Sequence, residues 1–203
     1  SIDTTLNILE FARRAAPDAV TIVCSTDKVY GKQPSPFHEE MALLPVHPYE
    51  IAKCTQDQLA QSYAAAYGMN IGITRCANFF GGYDLHFERI IPHTIRQLSS
   101  NGTIALRSDG KLTRDFLYVE EAVNVHLMLA ETLAKNPSLS GQPFNFSHEV
   151  ELNTLELIHL IAEMMGTTAT ITINDTAKNE IPRISLSTRK ARTILGWSPA
   201  FGF

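Results

Sequence analysis

Cysteine is scarce in this sequence, which excludes two kinds of structural framework. The chain has 3 cysteines among its 203 residues, Cys24, Cys54 and Cys76, and no pair of them forms a Cys-x-x-Cys motif. An odd number without that spacing supports neither a disulfide scaffold nor a zinc site built from cysteine. We therefore expect thiols that stay reduced, and the sequence predicts a cytoplasmic protein.

Long apolar runs and a strong charge of either sign are also lacking. No stretch approaches the roughly 20 apolar residues that span a bilayer. The formal net charge of -4 provides no overall attraction to nucleic acid or to an anionic membrane. With 44% hydrophobic and 19% charged residues, the chain can bury the core of one ordinary domain. The sequence therefore predicts small-molecule partners, with neither nucleic acid nor membrane among them.

Helical and strand patterns alternate along the chain, as is typical of crossover units and a parallel sheet. Apolar spacing predicts helices over Thr4 to Ala15, Tyr49 to Tyr67, Ile90 to Leu98, Val119 to Leu133, Thr154 to Met165 and Thr188 to Leu195. Short apolar runs predict strands over Ala19 to Cys24, Ile71 to Cys76, Thr103 to Leu106, Phe144 to Phe146 and Thr168 to Ile173. Gly68 is expected to cap its helix, and Val123, Leu127 and Ala130 to share an apolar face. The predicted class is α/β.

Tyr49 and Lys53 form the first chemical pattern. Their spacing of four residues places both side chains on one face of the predicted helix. An ammonium near a phenol favours the ionised phenol, which can then remove a hydroxyl proton while a hydride leaves the same carbon. The alternative is an ordinary surface pair, because tyrosine and lysine meet at this spacing on many helices.

Polar residues directly follow the first predicted strand, in the segment Ser25-Thr26-Asp27. Open α/β sheets bind ligands where their strands end. A hydroxyl at this point can orient a substrate oxygen, and Asp27 can serve as an acid if its surroundings raise its pKa. The alternative is a helix N-cap or a turn, which these three residue types favour.

Together these patterns resemble the extended short-chain dehydrogenase/reductase family. Its order is a strand, Ser-Thr-Asp, a proline-rich loop and a Tyr-x-x-x-Lys helix. The resemblance covers essentially the whole chain through Arg75-Cys-Ala-Asn78, Phe80-Gly81-Gly82, Arg89-Ile-Ile-Pro92, Arg114-Asp-Phe-Leu-Tyr-Val119, Phe144-Asn145-Phe146 and Leu195-Gly196-Trp197-Ser-Pro199. It is closest to nucleotide-sugar 4,6-dehydratases, such as CDP-glucose 4,6-dehydratase, and to nucleotide-sugar 4-epimerases.

The resemblance implies a partial Rossmann fold, a doubly wound parallel sheet that carries NAD, with a small C-terminal substrate-binding lobe. Residues 1–80 would be the remainder of the NAD-binding domain. Residues 81–203 would be mainly the nucleotide-sugar lobe, with some segments returning to the sheet. The implied ligands are NAD and a nucleotide-diphosphate sugar, with no metal. Members of the family pair through the helices predicted over Thr4 to Ala15 and Tyr49 to Tyr67, so a homodimer is expected.

The resemblance also implies roles for single residues. Tyr49 would be the catalytic base, Lys53 would lower its pKa and hold the nicotinamide ribose, and Thr26 would orient the sugar hydroxyl. Asp27 would be the acid, followed by Lys28 where thymidine-linked dehydratases have glutamate. The implied cofactor contacts are Ser25, Tyr49, Lys53 and Cys76. The implied substrate contacts are Asn78, Arg89, Arg107, Arg114 and Arg183, with the arginines at the diphosphate. A salt bridge within the lobe is the alternative for Arg114.

Dehydratase and epimerase differ after the C4 hydroxyl has been oxidised to a ketone. A dehydratase then removes the C5 proton, expels water from C6 and returns the hydride, so it needs a further acid and base. The Asp27-Lys28 pair is similar to that of CDP-glucose 4,6-dehydratases and favours a dehydratase. An epimerase needs neither group. A third possibility is a binding module without catalysis, against which the joint presence of Thr26, Tyr49 and Lys53 argues.

The family's Gly-x-x-Gly-x-x-Gly turn, whose backbone approaches the NAD pyrophosphate, is absent among the 11 glycines. The chain opens instead with what resembles the family's fourth crossover helix. We therefore expect a fragment with an exposed sheet edge, which does not bind NAD firmly on its own. Asp84, His86 and Glu88 alternate in a loop, but no further cysteine or histidine cluster supports a metal site there.

Overall fold

The computed structural model describes residues 2–177 and 180–203. The helices are α1 (Ile2–Ala15), α2 (Pro48–Tyr67), α3 (Ile90–Ser99), α4 (Val119–Lys135) and α5 (Thr154–Met164). The strands are β1 (Thr21–Thr26), β2 (Ile71–Cys76), β3 (Asn78–Phe80), β4 (Thr103–Leu106), β5 (Thr113–Arg114), β6 (Phe116–Tyr118), β7 (Pro143–Phe146), β8 (Leu152–Asn153) and β9 (Thr170–Ile173). Short helical turns cover Asp27–Tyr30, Pro137–Leu139 and Ala191–Leu195. The predicted α/β class is confirmed.

A parallel three-stranded sheet with the order β1-β2-β7 forms the centre. Every residue of β2 is buried, because helices cover both faces of the sheet. One face packs against α1 and α2 through Leu9, Ala60 and Ala64. The opposite face packs against α4, which contributes Val125 and Leu129 to the core. Both sides of β2 are therefore apolar, as expected for a strand in the middle of a parallel sheet.

Short strand pairs build a second layer beside the central sheet. β3 pairs with β6 and β4 with β9 in parallel, whereas β5 and β8 are antiparallel. Helices α3 and α5 pack together over this region, with Leu98, Ile104 and Ile158 in its core. β7 lies late in the chain and returns to the central sheet beside β2. The sequence missed β3, β5, β6 and β8, since strands of two or three residues leave no periodic pattern. The proposed domain division at residue 80 remains a prediction.

Local signals define the ends of α2, the helix that carries Tyr49. Pro48 takes the first helical position, where its missing N–H costs nothing. The Glu50 carboxylate accepts hydrogen bonds from the backbone N–H groups of Val46 and His47. At the other end, Gly68 adopts a left-handed conformation with φ of 65° and donates its N–H to the Ala64 carbonyl. The predicted cap at Gly68 is confirmed.

The inward face of α4 is not the one that the sequence pattern suggested. Val123 and Leu127 were expected on the apolar face, yet they are 54% and 59% exposed. The residues that α4 buries in the core are Ala122, Val125, Leu129 and Leu133. This helix has apolar residues on more than one side, and periodicity does not tell which stripe meets the sheet.

Apolar residues also remain exposed on α1, where Ile8 and Phe11 are 53% and 68% accessible. They lie on one of the two helices through which a homodimer is predicted, and that homodimer remains a prediction. Within the described residues, β1 pairs only with β2, so its other edge is open. None of the helices in the described part of the chain is long and apolar enough to cross a membrane.

A buried ion pair joins α2 to β2. The Arg75 guanidinium donates to both carboxylate oxygens of Asp57 at 2.9 Å, and the two residues are 2% and 0% exposed. Arg75 also donates to the Tyr30 hydroxyl at 3.0 Å, which in turn donates to Asn145 Oδ1 at 2.8 Å. The network reaches α2, β2, β7 and the turn after β1, so it holds the helix bearing Tyr49 and Lys53 at a defined place on the sheet.

We expect Arg75→Met to lower the free energy of unfolding by about 3–5 kcal/mol, because it leaves the Asp57 carboxylate buried without a counter-charge. Urea unfolding followed by circular dichroism measures the change. The matched control is Arg183→Met, which breaks the solvent-exposed pair with Glu151 and should cost less than about 1 kcal/mol. Equal losses in the two variants would contradict a structural role for the buried pair.

Candidate active site

The carboxyl ends of β1 and β2 lie side by side because the two strands are in parallel register, with Thr26 opposite Cys76. A cavity of about 650 Å³ opens at this edge of the sheet. It extends from the end of β1 across β2 to the start of α3 and the arginines of the second layer. This is the edge where open α/β sheets bind ligands.

The cavity gathers most of the residues that the sequence singled out. Its wall includes the predicted catalytic residues Thr26, Asp27, Lys28, Tyr49 and Lys53. It also includes the predicted cofactor contacts Ser25 and Cys76 and the predicted substrate contacts Asn78, Arg89, Arg107 and Arg114. Arg183 does not line this cavity within the described chain, and its exposed guanidinium pairs with Glu151 at 2.5 Å. The backbone of Arg183 nevertheless pairs with Thr113, the neighbour of Arg114, and its substrate role remains a prediction.

Tyr49 and Lys53 do lie on the same helix at the cavity, but their electrostatic relation differs from the expected one. Lys53 Nζ donates to the backbone carbonyl of Cys24 at 2.5 Å, so the ammonium is held on β1. Partial burial raises the pKa of the Tyr49 phenol. This effect of burial is larger than the opposing effects of the Thr26 side chain and the Arg89 charge. The Tyr49 pKa is therefore raised and not lowered as expected, because burial dominates, whereas the role of Lys53 remains a prediction.

Asp27 is the most deeply buried acid of the cavity, at 1% exposure. One of its oxygens, Oδ1, accepts the Thr26 hydroxyl at 2.9 Å, while Oδ2 has no hydrogen-bond partner in the described part of the chain. Burial raises the pKa of Asp27, and the nearby charges of Lys28 and Arg114 only partly oppose this. The raised pKa is the condition that the sequence analysis set for an acid at this position.

Thr26 and Lys28 complete the catalytic side of the cavity. The backbone N–H of Lys28 donates to the Thr26 side chain at 3.4 Å, so Thr26 is also the N-cap of the turn Asp27–Tyr30. The structural interpretation of this segment as an N-cap is therefore confirmed, and the functional one remains a prediction. Lys28 Nζ lies 5.8 Å from the centre of the Tyr49 ring. A second cation beside Lys53 therefore faces the phenol.

Guanidinium groups line the opposite side of the cavity. Arg114 Nη1 donates to the carbonyls of Thr113 and Ile181, and Nη2 contacts Glu180 at 3.2 Å. Arg89 pairs with Asp84 at 3.2 Å. The structural alternative for Arg114, a salt bridge within the lobe, is thus present, yet the same side chain lines the cavity. Planar guanidinium groups are suited to hold phosphate oxygens.

A second cavity of about 880 Å³ continues from the first. The two share Glu88, Ile90 and Arg107 in their walls. Asp84 Oδ1 accepts the backbone N–H of His86, which makes it a turn residue. Among residues 2–177 and 180–203, no group of three potential ligands is arranged for a metal ion. The joined cavities offer space for an elongated ligand with a charged middle.

Sequence inspection missed some of the residues that shape this site. Glu180 forms an ion pair with Arg114 across 66 residues of sequence, and no local pattern marks that contact. Cys24 lines the cavity and contacts His126 across 102 residues. The alternation of side chains along β1 was the available signal, because it places Cys24 on the same face as Thr26.

We expect the Asp27 carboxyl to titrate at a pH above that of an ordinary aspartate, because its burial disfavours the charged form. Carboxyl-carbon NMR of the selectively labelled protein measures the titration, with the exposed Asp109 as the internal comparison. Since the folded state favours the protonated acid, the stability from this group is present at low pH and is lost as the pH rises through its folded pKa. A titration at or below that of Asp109 would overturn the assignment.

Comparison with known proteins gives the family context of this site. Residues 1–145 match the model of the NAD dependent epimerase/dehydratase family. The low-salt glycan biosynthesis protein Agl12 of Haloferax volcanii is 30% identical over 209 residues, which cover 100% of this chain and 64% of that protein. A UDP-glucose 4-epimerase of Mycolicibacterium smegmatis is 29% identical over 198 residues, covering 96% of this chain and 62% of the epimerase.

A solved structure agrees with the fold over the full chain. The dTDP-glucose 4,6-dehydratase DesIV of Streptomyces venezuelae, crystallised with NAD and TYD bound, aligns with a TM-score of 0.88 at 28% identity. The alignment covers 100% of this chain and 61% of DesIV. The chain therefore spans less than two thirds of the length of each of these relatives.

Proposed function

The chain belongs to the NAD-dependent epimerase/dehydratase family, and on this basis we propose that it forms the catalytic and substrate-binding part of a nucleotide-sugar 4,6-dehydratase. The substrate class is a nucleotide-diphosphate sugar and the cofactor is NAD. The observation that carries the dehydratase proposal is Asp27, a buried acid at the end of β1 beside Thr26 and Tyr49. A dehydratase needs such a proton donor to expel a hydroxyl group, whereas an epimerase does not.

The residues at the ends of β1 and β2 fit the nicotinamide end of NAD. Lys53 uses one of its three ammonium hydrogens on the Cys24 carbonyl, which leaves donors for ribose hydroxyls. The Ser25 hydroxyl lines the same cavity and has no hydrogen-bond partner in the described part of the chain. Cys76 provides the apolar floor beside it. When bound, NAD supplies the acceptor for the hydride from C4 of the sugar and later returns that hydride.

Tyr49 takes the proton of the C4 hydroxyl, and Thr26 orients that hydroxyl by hydrogen bonding. Since burial holds the phenol in its protonated form, ionisation depends on nearby cations. Lys28 at 5.8 Å from the ring centre is in position to provide one, and the charge of Arg89 acts in the same direction. Lys53, on the same face of α2 as Tyr49, is the third cation assigned to favour ionisation of the phenol.

Asp27 donates its proton to the departing C6 hydroxyl, which then leaves as water. Its unpartnered Oδ2 is the atom assigned to hold that proton. Lys28, the next residue, also lines the cavity and is assigned to the C5 side of the same step. This pair replaces the acid and carboxylate base of thymidine-linked dehydratases with an acid and an amine.

The diphosphate is assigned to the guanidinium side of the cavity, at Arg89, Arg107 and Arg114. Two of these groups now contact carboxylates, Asp84 and Glu180, which an incoming diphosphate would have to displace. The second cavity, reached past Arg107, has room for the nucleoside. A 4-epimerase is the second candidate function, because Lys28 stands where a carboxylate base is usual and a curated relative carries that activity by name.

Mass spectrometry of CDP-glucose, dTDP-glucose, GDP-mannose and UDP-glucose after incubation with the protein and NAD tests the proposal. We expect one substrate to lose water, and Tyr49→Phe to slow this at least about 100-fold, because the proton acceptor is removed. Tyr67→Phe, on the same helix and similarly exposed, is the matched control and should leave the rate unchanged. Sugar conversion at constant mass would favour the epimerase, and binding without any conversion would overturn catalysis.

Asp27→Asn separates the two enzymatic functions. In a dehydratase we expect water loss to fall by about 100-fold or more, because an amide cannot donate the proton that the leaving hydroxyl needs. The first oxidation would continue, so the near-ultraviolet absorbance of reduced nicotinamide should build up after substrate is added. If sugar interconversion proceeds at the wild-type rate in this variant, the acid has no part in the reaction and the dehydratase proposal fails.

A further inference from the structure

A thiol and an imidazole meet on the face of the sheet that α4 covers. Cys24 Sγ lies 3.0 Å from His126 Nε2, and the Thr74 hydroxyl lies 3.1 Å from the same nitrogen. Cys24 is exposed and lines the active-site cavity, whereas Cys54 and Cys76 are buried. The one accessible thiol among the described cysteines is therefore the one that has an imidazole beside it.

The contact made by Nδ1, the second ring nitrogen of His126, determines which tautomer the neutral ring adopts. Nδ1 contacts the backbone carbonyl of Ala122, which can only accept a hydrogen bond, so Nδ1 carries a hydrogen. In the neutral ring Nε2 is then a lone-pair acceptor that faces the Cys24 thiol. This is the tautomer needed to take the thiol proton.

His126, Thr74 and Lys53 lower the pKa of the Cys24 thiol, and partial burial opposes them. His126 faces the sulfur from α4, and Thr74 and Cys76 face it from β2. The Lys53 ammonium, on α2, binds the backbone carbonyl of Cys24. The hydrogen bond with His126 is the largest cause that lowers the pKa of Cys24, and the same contact raises the pKa of His126. Burial raises the pKa of both other cysteines. The contact between the two groups therefore favours the thiolate together with the imidazolium.

We propose that Cys24 is a modification site for peroxides, with His126 as its proton acceptor. The thiolate sulfur attacks one peroxide oxygen, so that a sulfur–oxygen bond forms as the oxygen–oxygen bond breaks. The departing hydroxide takes the proton from His126 and leaves as water. The sulfur is oxidised by two electrons, the peroxide is reduced, and Cys24 becomes a sulfenic acid on the cavity wall. This chemistry is independent of the proposed sugar reaction.

Treatment with hydrogen peroxide in the presence of a sulfenic-acid trap tests the proposal, with mass spectrometry of each cysteine-containing peptide as the readout. We expect Cys24 to be trapped first. Because an ordinary thiol is only a few per cent ionised near neutral pH, loss of the imidazole in His126→Gln should slow trapping about tenfold. The matched control is His159→Gln, an exposed histidine on α5, which should leave the rate unchanged.

The pH profile of the unmodified sequence is a second test that needs no variant. The rate of Cys24 alkylation by iodoacetamide should reach its midpoint at lower pH than that of glutathione in the same buffer. Trapping of Cys24 no faster than that of Cys54 or Cys76, an unchanged rate in His126→Gln, or a midpoint equal to that of glutathione would each overturn the proposal. Because none of these measurements uses a sugar substrate, their outcome does not depend on whether the proposed dehydratase activity is found.

Discussion

The buried contact between Arg75 and Asp57 is the constraint on which the rest of the arrangement depends. A guanidinium and a carboxylate that both lie out of reach of water must keep each other as partners, because either charge without its counterpart would be costly in the core. A further Arg75 donor, Nη1, binds the Tyr30 hydroxyl, which continues the network to Asn145 on β7. One set of hydrogen bonds thereby aligns the central sheet, the turn after β1 and the helix α2.

This alignment matters because burial raises the pKa values of two groups in the cavity. Asp27 is enclosed and its pKa is raised, which favours the protonated acid. The pKa of Tyr49, on α2, is also raised by burial, which favours the protonated phenol. Lys53 is bound to the Cys24 carbonyl on β1. The candidate site thus starts from proton-holding groups surrounded by cations, and proton transfer would depend on what binds among them.

Several elements were predictable in detail because their signals are local. The bounds of β2 and β4 agree with the sequence prediction, and Gly68 ends α2 as its left-handed conformation allows. The residues at the ends of β1 and β2 could be expected to meet, since parallel strands bring their carboxyl ends to one edge. The inward face of α4 could not be predicted, because that helix has apolar residues on more than one side. The ion pair of Arg183 with Glu151 could not be predicted either, because the two residues lie far apart in the chain.

The sequence by itself determined the α/β class, the order of the helices and of the strands with four or more residues, and the identity of the side chains at the strand ends, because these follow from periodicity, capping and motif spacing. Only the tertiary structure decided the protonation of those side chains and their partners. The enclosure of Asp27, the attachment of Lys53 to the Cys24 carbonyl and the contact of Cys24 with His126 arise between segments far apart in the chain. Burial and long-range hydrogen bonds set pKa values, and neither can be read from neighbours in sequence.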